Sequence, residues 1–468
     1  MEFLEKAIAF SNDILWSYVL IVMLIALGLW FSFRTGFVQL RLFREMLRLL
    51  REGVSHDGGH THISSFQAFC ISTASRVGVG NIAGIAIAIM VGGPGAIFWM
   101  WVIAVIGAAS GFVESTLAQI YKVRDPKTFG FRGGPAYYIR NCLGSRSAAA
   151  LFAVLISVTF GLCFNSVQAN TITLSLQSSF GIDRALGGAG ITILSAIVIF
   201  GGLKRIAHLS SWLVPVMATL YLLIALVIVL MNITHIPAMF VTIISQAFSP
   251  DAAVGGIGAA ILTGAKRGLF SNEAGMGSVP NAAATAFVSH PVKQGLVQAL
   301  GVFVDTLLVC TASACIVLLY EGYADAGKTG IELVQMALAS HLGSFAGVLL
   351  SFMVFLFAFS SIAGNYYYGE SNIQFFSTRP EPLLIFRVLV VAMVAFGSVA
   401  DLPFVWNLAD LFMALMAIVN LVAIALLGRN AFIALKDYSA QKKAGVADPV
   451  FHPGQLPDRR GIEAWEDK

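Results

Sequence analysis

The stretch Ser72-Thr-Ala-Ser-Arg-Val-Gly-Val-Gly-Asn81 is a Gly-rich polar run that interrupts an apolar segment long enough to cross a membrane. A second run, Phe270-Ser-Asn-Glu-Ala-Gly-Met-Gly-Ser-Val-Pro280, interrupts another such segment in the same way. In hydrocarbon every backbone polar group needs a partner, so an unwound span persists only where it is buried in protein or lines a water-filled cavity. Two such breaks in matching positions of two halves indicate a transporter site near the middle of the bilayer.

The composition places the chain among polytopic helical membrane proteins. Of its 468 residues 57% are hydrophobic and 12% are charged, whereas soluble domains carry about 25% charged residues. The net charge of +4 is small and does not indicate nucleic-acid binding. The five cysteines show no spacing typical of a metal site or a disulfide framework, and no nucleophile motif, phosphate loop or metal cluster is present. We therefore predict that the chain is not an enzyme and needs no cofactor.

A transmembrane helix needs about 20 mostly apolar residues, and this measure predicts about eleven spans. The predicted spans are 15–33, 66–91, 96–121, 149–176, 186–201, 209–231, 255–287, 295–320, 345–368, 382–399 and 403–427.

The basic residues predict the orientation of these spans. If the first span enters from outside, the segments 34–65, 122–146, 202–210, 290–294 and 372–381 and the tail from residue 428 become cytoplasmic, and they hold nearly all of the Lys and Arg. This arrangement satisfies the positive-inside rule. It predicts an N-terminus outside the cell and a C-terminus in the cytoplasm. The stretch 41–52 has apolar residues at helical spacing and arginines on the other face, which favours an amphipathic helix on the inner leaflet.

The order of the spans predicts an internal repeat. Without the first span, the remaining ten divide into five and five, and a broken helix opens each half. An odd number of spans per half gives the halves opposite orientation. The predicted organisation is an N-terminal transmembrane helix with the amphipathic helix (1–65), a first repeat (66–231), an outer loop with the second repeat (232–427) and a cytoplasmic tail (428–468).

The unwound points also predict what the site binds. A break exposes backbone N–H groups at the start of a half-helix, where the helix dipole favours a carboxylate. It also exposes carbonyl groups, which suit a cation or an ammonium group. A zwitterionic amino acid together with one sodium ion would use both kinds of group.

Several motifs carry a resemblance to one transporter family. They are Gly92-Gly-Pro-Gly-Ala-Ile-Phe-Trp-Met-Trp101, Phe131-Arg-Gly-Gly-Pro-Ala-Tyr-Tyr138, Gly264-Ala-Lys-Arg-Gly-Leu-Phe-Ser-Asn-Glu-Ala-Gly-Met-Gly-Ser278, Phe357-Ala-Phe-Ser-Ser361 and Tyr366-Tyr-Tyr-Gly-Glu370. Together they are similar to the signatures of the alanine/glycine:cation symporters, also called sodium:alanine symporters. The resemblance covers nearly the whole chain. It implies an all-α LeuT-type fold of ten core spans with one extra N-terminal helix, and sodium-driven uptake of small neutral amino acids.

The first break resembles the substrate and ion region of LeuT-type transporters. The resemblance implies that the amides of Val79 and Gly80 face the substrate carboxylate and that Asn81 ties the break together or touches an ion. The alternatives are a simple glycine kink and an interhelical hydrogen bond of Asn81.

The resemblance also implies a sodium site. The carbonyls of Ala74 and Val77 match the family's ligands on the first broken helix, Ser360 and Ser361 match the paired hydroxyls of the facing span, and Phe357 would add a carbonyl. Oxygen ligands of this kind suit a hard cation. The alternative is that the adjacent serines bond back to the preceding turn of their own helix.

The second break and two other spans complete the predicted substrate site. Its expected wall and ammonium-binding surface consist of Phe270, Ser271, Asn272, Gly275 and Met276, with Gln168 and Asn365 facing the same region. The alternatives are that Met276 fills the core and that Gln168 only packs two helices together. Asn365 stands where tryptophan is common in the family, Val79 where a hydroxyl residue is common, and Arg76 adds a fixed charge; these departures weaken alanine as the preferred substrate.

Ionisable residues inside spans are functional candidates. The acids are Glu114, Glu273 and Asp305, and the cations are Arg76, Lys266 and Arg267. We expect Arg76 or Arg267 to pair with Glu114, Glu273 or Glu370.

The predicted function is sodium-coupled symport of alanine, glycine or a similar small neutral amino acid by alternating access, in a bacterial or archaeal plasma membrane. The expected partners are the amino acid, sodium and the bilayer, without nucleic acid or a required protein partner. The alternatives are a proton-coupled or sodium-independent amino-acid transporter of other selectivity and an ion channel, since Gly-rich backbone also builds filters.

Overall fold

Helices form nearly all of the regular structure. The computed structural model describes residues 2–52, 56–57, 60–61, 63–125, 130–201, 203–249 and 258–465. The helices in these ranges are α1 (Glu2–Ile14), α2 (Ile21–Arg34), α3 (Val38–Arg41), α4 (Phe43–Leu49), α5 (Ser65–Arg76), α6 (Val79–Gly92), α7 (Gly95–Ile120), α8 (Pro135–Asn141), α9 (Arg146–Ile156), α10 (Asn165–Phe180), α11 (Arg184–Ile199), α12 (Leu203–Met231), α13 (Ile236–Ala247), α14 (Ala259–Asn272), α15 (Val279–Ala283), α16 (Pro291–Val302), α17 (Thr311–Leu318), α18 (Gly330–Leu342), α19 (Phe345–Phe376), α20 (Pro380–Val399) and α21 (Leu402–Lys443).

Three pairs of these helices are continuous through π-helical turns. The turns are Leu15–Leu20 between α1 and α2, Ser157–Phe164 between α9 and α10, and Phe303–Cys310 between α16 and α17. The described residues also include a 3-10 turn (Pro453–Gln455) and two short antiparallel ribbons: β1 (His56–Asp57) with β2 (His60–Thr61), and β3 (Val123–Arg124) with β4 (Phe131–Arg132).

Among the described residues, fewer helices have the length and hydropathy of a membrane span than the eleven predicted. Within the described ranges eight helices are long and apolar enough to cross a membrane, or nine if the bent pair α5–α6 counts as one span. The two other predicted spans correspond to α11, which has 16 residues, and to the second broken segment, where α15 has only 5. The start of that segment, residues 255–257, lies outside the described residues. The membrane-spanning helical architecture is confirmed, and the count of eleven stays a prediction.

The first broken helix bends by 40° between α5 and α6. α5 begins with a capping box, in which the Ser64 hydroxyl accepts from the Gln67 amide and the Gln67 side chain accepts from the Ser64 amide. It ends at Arg76, and only Val77 and Gly78 separate it from α6. The first break is therefore short, and both half-helices are long.

The second broken helix has a longer interruption. α14 ends at Asn272, and Glu273 follows with a φ of 56°, in the left-handed region that non-glycine residues rarely occupy. Gly275 and Gly277 also have positive φ values, of 84° and 88°. A side chain is strained at such φ angles, so the two glycines permit the turn. Helix resumes only in the short α15.

The core lies where the two broken helices meet. α6 packs against α14, α5 packs against α15 and α19, and α7 packs against α14 and α16. The second half of α7, from Gly107 to Ile120, is completely buried. Residues near the two breaks are thus enclosed by spans from both predicted repeats.

Shorter helices lie at the ends of the bundle. The predicted amphipathic stretch forms α3 and α4, in which Met46 and Leu49 are buried while Arg44 and Arg48 are exposed. α4 packs against α16. α13 and α18 form the connections after α12 and α17, and α13 packs against α7 while α18 packs against α6. The last helix continues well beyond the predicted end at residue 427, to Lys443.

Candidate functional site

The first break is closed by side chains that reach its free backbone groups. The Gly78 amide donates to Asn81 Oδ1 at 3.0 Å, and the Val79 amide donates to Gln168 Oε1 at 3.2 Å. A Cβ atom on Gly78 would lie 2.3 Å from Ser361 Oγ and 3.1 Å from Gln168 Oε1. Glycine is required at Gly78 because α10 and α19 approach its backbone so closely.

Four of the five predicted sodium ligands lie together beside this break. The Ser361 hydroxyl lies 2.9 Å from the Ala74 carbonyl oxygen and 3.0 Å from that of Phe357, and the Ser360 hydroxyl donates to the Phe357 carbonyl at 2.8 Å. All are buried. The fifth, Val77, is one of the two buried residues between the half-helices.

The chemistry of this group fits sodium. All of its donors are neutral carbonyl and hydroxyl oxygens, the ligand type that hard cations prefer. The expected back-bonding of the serines to their own helix is also present, because both reach the Phe357 carbonyl. The bond from Ser361 to Ala74 nevertheless crosses to another helix, so this serine does more than satisfy its own turn.

Asn81 connects both breaks to a third helix. Its side-chain nitrogen donates to Ser271 Oγ at 2.8 Å and to Asp305 Oδ1 at 2.6 Å. The Ser271 hydroxyl donates to Asp305 Oδ2 at 2.6 Å. Asn81 therefore ties the first break together through its oxygen and holds the second break through its nitrogen. Asp305 lies in the π-helical turn between α16 and α17.

An aromatic stack covers the first break on the α14 side. The Phe270 ring occupies the space beside Gly80, where a Cβ atom would lie 2.6 Å from it. Its centroid lies 4.4 Å from that of Phe164 and 4.7 Å from that of Trp406. The Arg267 guanidinium lies 4.6 Å from the Trp406 ring centre. The stack blocks one approach to the Gly80 backbone.

Arg267 forms a buried ion pair that differs from the prediction. Its Nη2 atom donates to both carboxylate oxygens of Asp410 at 2.5 Å, and both side chains are about 6% exposed. The expected pairing of Arg267 with Glu114, Glu273 or Glu370 is wrong, because α21 packs an acid directly against α14. Asp410 lies inside the predicted span 403–427, and an acidic residue inside a span is itself a reason to expect a buried basic partner.

The second break is held by a carboxylate. Glu114 of α7 accepts from the Gly275 amide and from the Gly277 amide, both at 3.1 Å, through its two different oxygens. Asn420 of α21 donates to Glu114 at 2.8 Å and to the Gly275 carbonyl at 2.9 Å. Tyr138 in turn hydrogen-bonds to Asn420. The free amides of the second break are satisfied by protein.

The predicted wall residues of the second break therefore divide into two groups. Phe270 and Ser271 contact the first break, as described above. Asn272 donates to the Thr306 hydroxyl at 3.2 Å and accepts from the Ala274 amide at 3.0 Å. Gly275 faces Glu114, Leu421 and Ser110, while Met276 is buried. The structure brings Phe270 and Ser271, but not Gly275, to the group around Gly80 and Asn81.

A second polar group joins the breaks on the Ser75 side. The Ser75 hydroxyl lies 2.8 Å from Glu273 Oε1 and 2.7 Å from Asn365 Oδ1, and Asn365 donates to Asn165 at 3.2 Å. The Ser278 hydroxyl donates to Glu273 Oε2 at 2.6 Å. Asn365 therefore belongs to a buried polar network. On α19 it lies one helical turn after Ser361.

Arg76 has no carboxylate partner at ion-pair distance among the described residues. Its Nη1 atom donates to the Gln298 carbonyl at 3.2 Å, and its Nε and Nη2 atoms have no hydrogen-bond partner there. The expected direct pairing of Arg76 with Glu114, Glu273 or Glu370 is wrong, because Gly301 lets the guanidinium turn toward α16. Arg76 is only 2% exposed, so its charge still acts on the buried acids.

The loop after α15 is held from α7 and from the start of α5. Gln119 donates to the Ala283 and Ala286 carbonyls at 2.5 and 3.0 Å, and Lys122 donates to the Ala286 carbonyl at 3.0 Å. The Phe287 amide donates to the Ile63 carbonyl at 3.0 Å. The ends of both broken helices are thus joined at this side of the bundle.

The tail also reaches this side. Trp465 donates its indole N–H to the Gln119 carbonyl at 2.8 Å. The Lys122 ammonium lies 4.0 Å from the Phe131 ring centre and 4.8 Å from that of Trp465. Burial, with the neighbouring Arg124 charge, lowers the pKa of Lys122 to about 7.

Comparison with protein-family models shows which family the chain belongs to. The model of the sodium:alanine symporter family matches residues 1–453. The chain belongs to this family. Membership confirms the resemblance inferred from the motifs, and with it the function class, sodium-coupled amino-acid symport, and sodium as the coupling ion.

Relatives of this sodium:alanine symporter family member cover nearly its full length. The Probable sodium/glutamine symporter GlnT of Bacillus subtilis (strain 168) is 53% identical over 99% of this chain and 96% of its own. The Amino-acid carrier protein AlsT of the same organism is 51% identical over 100% and 99%. The Sodium/alanine symporter AgcS of Methanococcus maripaludis is 37% identical over 89% and 93%.

Two solved structures share the fold. MhsT in complex with L-phenylalanine matches with a TM-score of 0.57 at 14% identity, covering 81% of this chain and 97% of its own. A sodium-coupled sialic acid symporter in a substrate-bound outward-open state matches with a TM-score of 0.51 at 14% identity, covering 89% and 86%. At this identity the likeness concerns the fold alone, and it confirms the predicted LeuT-type class.

Proposed function

We propose that the protein carries a small neutral amino acid together with sodium into the cell by alternating access. The observation that carries this proposal is the group of buried oxygens of Ala74, Phe357, Ser360 and Ser361 beside the break at Gly78. A cation bound there lies next to the Val79 amide, so ion and substrate sites share one short segment of backbone.

The first break is the proposed substrate site. The amides of Val79 and Gly80 bind the substrate carboxylate. The Val79 amide now donates to the Gln168 side chain, and this hydrogen bond breaks when the substrate binds. The ammonium group lies toward Phe270 and Ser271 of the second broken helix. Movement of the Phe270 ring from Gly80 opens the way to these amides.

The candidate substrates that we propose are alanine, glycine and glutamine. AgcS is named for alanine, and GlnT, with 53% identity, is named for glutamine. The network of Ser75, Asn365 and Asn165 offers hydroxyl and amide partners that suit a carboxamide better than a methyl group. Glutamine is therefore the second candidate, favoured by Asn365.

The proposed location is a bacterial or archaeal plasma membrane, with the N-terminus outside and the C-terminus in the cytoplasm. Support comes from the exposed arginines of α3 and α4, which suit anionic headgroups at the inner surface. We further propose that the protein catalyses no chemical reaction and works without a cofactor or a required protein partner.

Uptake by purified protein in proteoliposomes tests this function. An inward sodium gradient is expected to drive accumulation of labelled alanine or glutamine, and unlabelled competitors rank the substrates. Accumulation that is indifferent to sodium would contradict the coupling. Ion currents far above carrier turnover would instead indicate a channel.

A further inference from the structure

Glu273 is a buried carboxyl group whose role the sodium and substrate sites leave open. It is 1% exposed and sits at the start of the second break. Its two oxygens accept from two hydroxyl groups, of Ser75 in α5 at 2.8 Å and of Ser278 at 2.6 Å. It therefore connects the first broken helix to the second.

The partners of Glu273 differ from those of the two other buried acids nearby. Glu114 accepts from three N–H groups, of Gly275, Gly277 and Asn420, and N–H groups can only donate. Asp305 accepts from the Asn81 N–H group on Oδ1 and from the Ser271 and Thr306 hydroxyls on Oδ2, so among these three acids Glu273 is the one with hydroxyl partners on both oxygens. A protonated carboxyl needs an acceptor for its own hydrogen, which Glu114 lacks among these partners.

Hydroxyl groups allow Glu273 to exist in both protonation states. Each hydroxyl donates to a carboxylate, and each also rotates to accept a hydrogen from a carboxylic acid. Glu273 therefore keeps hydrogen bonds on both oxygens whether or not it carries a proton. In the same position, N–H donors alone would favour only the ionised form.

The buried charges near Glu273 also favour a proton on one of the carboxyl groups. The charged groups that act on Glu273 are Arg76 and Asp305, and Glu273 in turn acts on the neighbouring Tyr368. Arg76 acts on Glu114 and Asp305 as well, and two of its nitrogens have no hydrogen-bond partner among the described residues. One guanidinium cannot neutralise three carboxylates, and uncompensated charge is costly away from water.

We propose that Glu273 is a proton-binding site: it releases its proton to the outer solution as sodium binds from that side and takes up a proton from the inner solution after sodium leaves, so that each cycle moves one proton opposite to sodium and the amino acid. This inference rests on the sodium-coupled symport proposed above. Sodium beside Ala74 adds positive charge one residue from Ser75, which bonds to Glu273. That charge favours the carboxylate, and by thermodynamic reciprocity a proton on Glu273 weakens sodium binding.

Proton movement during transport tests the proposal. Proteoliposomes containing a trapped pH dye and held at zero membrane potential receive sodium and amino acid outside. Wild-type protein is expected to make the lumen more alkaline as uptake proceeds. Glu273→Gln is expected to retain sodium-dependent substrate exchange at a lower net rate, without any change in lumen pH. Glu381→Gln, the same change at an exposed position of α20, should behave as wild type.

Sodium titration of substrate binding in detergent provides a second readout that needs no transport. For wild type, the half-saturating sodium concentration is expected to be about fivefold or more lower at about pH 8 than at about pH 6. For Glu273→Gln it is expected to be the same at both pH values.

Three results would overturn the inference. They are sodium-driven uptake by wild type without a change in lumen pH, the same pH-dependent sodium titration in Glu273→Gln as in wild type, and complete loss of substrate binding in a folded Glu273→Gln variant at both pH values. Uptake that ignores sodium would refute the proposed function instead. If Glu273→Gln does not fold, sodium-driven uptake by wild type without a change in lumen pH would still overturn the inference.

Discussion

The two broken helices are held by opposite kinds of chemistry. At the first break, neutral groups of Asn81, Gln168 and Ser361 reach the backbone. At the second, the Glu114 carboxylate accepts from two backbone amides and is itself held by Asn420. Hydrogen bonds to a charged group are stronger than those between neutral groups, at about 1.5–3 against about 1 kcal/mol. The second break is thus fixed, and the first has partners that a ligand can replace.

This difference assigns separate tasks to the breaks. A site that binds and releases an ion and an amino acid needs groups that exchange partners at low cost, and neutral amides and hydroxyls meet that need. A segment that transmits movement between helices needs a stable shape. We therefore expect changes at the second break to affect the whole transporter and changes at the first to affect ligand binding.

The largest effect is expected for Glu114→Gln. A carboxamide has one acceptor oxygen, so one of the Gly275 and Gly277 amides loses its partner and meets an NH2 group. The expected cost is about 3 kcal/mol or more, seen as a lower melting temperature and loss of transport. Thermal unfolding and uptake measure it, and Glu381→Gln is the matched control. Normal stability and uptake in Glu114→Gln would contradict the claim that the second break is a fixed scaffold.

A smaller effect, confined to binding, is expected for Gly80→Ala. The added methyl group would lie 2.6 Å from the Phe270 ring and would displace it from the first break. Overpacking of this kind costs about 1–3 kcal/mol, so substrate affinity should fall by about tenfold. Gly190→Ala in α11 is the control, because no atom lies within 4 Å of its added carbon. Equal affinity in the two variants would argue against a substrate beside Gly80.

Ser361→Ala is expected to weaken sodium dependence while sparing selectivity. Loss of one oxygen ligand should raise the half-saturating sodium concentration by about tenfold, corresponding to about 1.4 kcal/mol. Uptake at varied sodium, with alanine and glutamine competing, measures both properties. Ser351→Ala, on the same helix but within a separate serine network, is expected to leave sodium dependence unchanged. A change in substrate ranking without a change in sodium dependence would contradict the assignment.

The smallest effect is expected at Lys122, which holds the loop after the second break. Because its pKa is lowered to about 7, the folded protein binds fewer protons here than the unfolded chain from about pH 7 up to the ordinary lysine range. Stability from this group therefore rises as pH increases above about 7. Lys122→Met should flatten that rise in melting temperature. An unchanged pH profile in this variant would show that Lys122 does not carry it.

The sequence was sufficient to predict the breaks and the class of protein. Gly78, Gly275 and Gly277 lie in backbone that is not regular helix, and the apolar spans around them indicate a membrane transporter. The grouping of Ala74 with Ser360 and Ser361 was predicted through the family resemblance, which implies that α5 and α19 face each other at the first break.

The partners between distant helices were not predictable. Arg267 and Asp410 are 143 residues apart in the chain, and Gly275 and Glu114 are 161 apart. Which acid meets which donor depends on how the spans pack, and sequence spacing within one helix carries no information about that. The same reason explains why Gly275 was expected at the substrate wall although its backbone faces Glu114.

A structure determined with an amino acid and thallium, a heavy substitute for sodium, tests the central claim most directly. The account predicts an anomalous peak among the oxygens of Ala74, Val77 and Ser361, and the substrate carboxylate at the amides of Val79 and Gly80. Density for the amino acid at Gly275 and Glu114, with no peak beside Ser361, would contradict it.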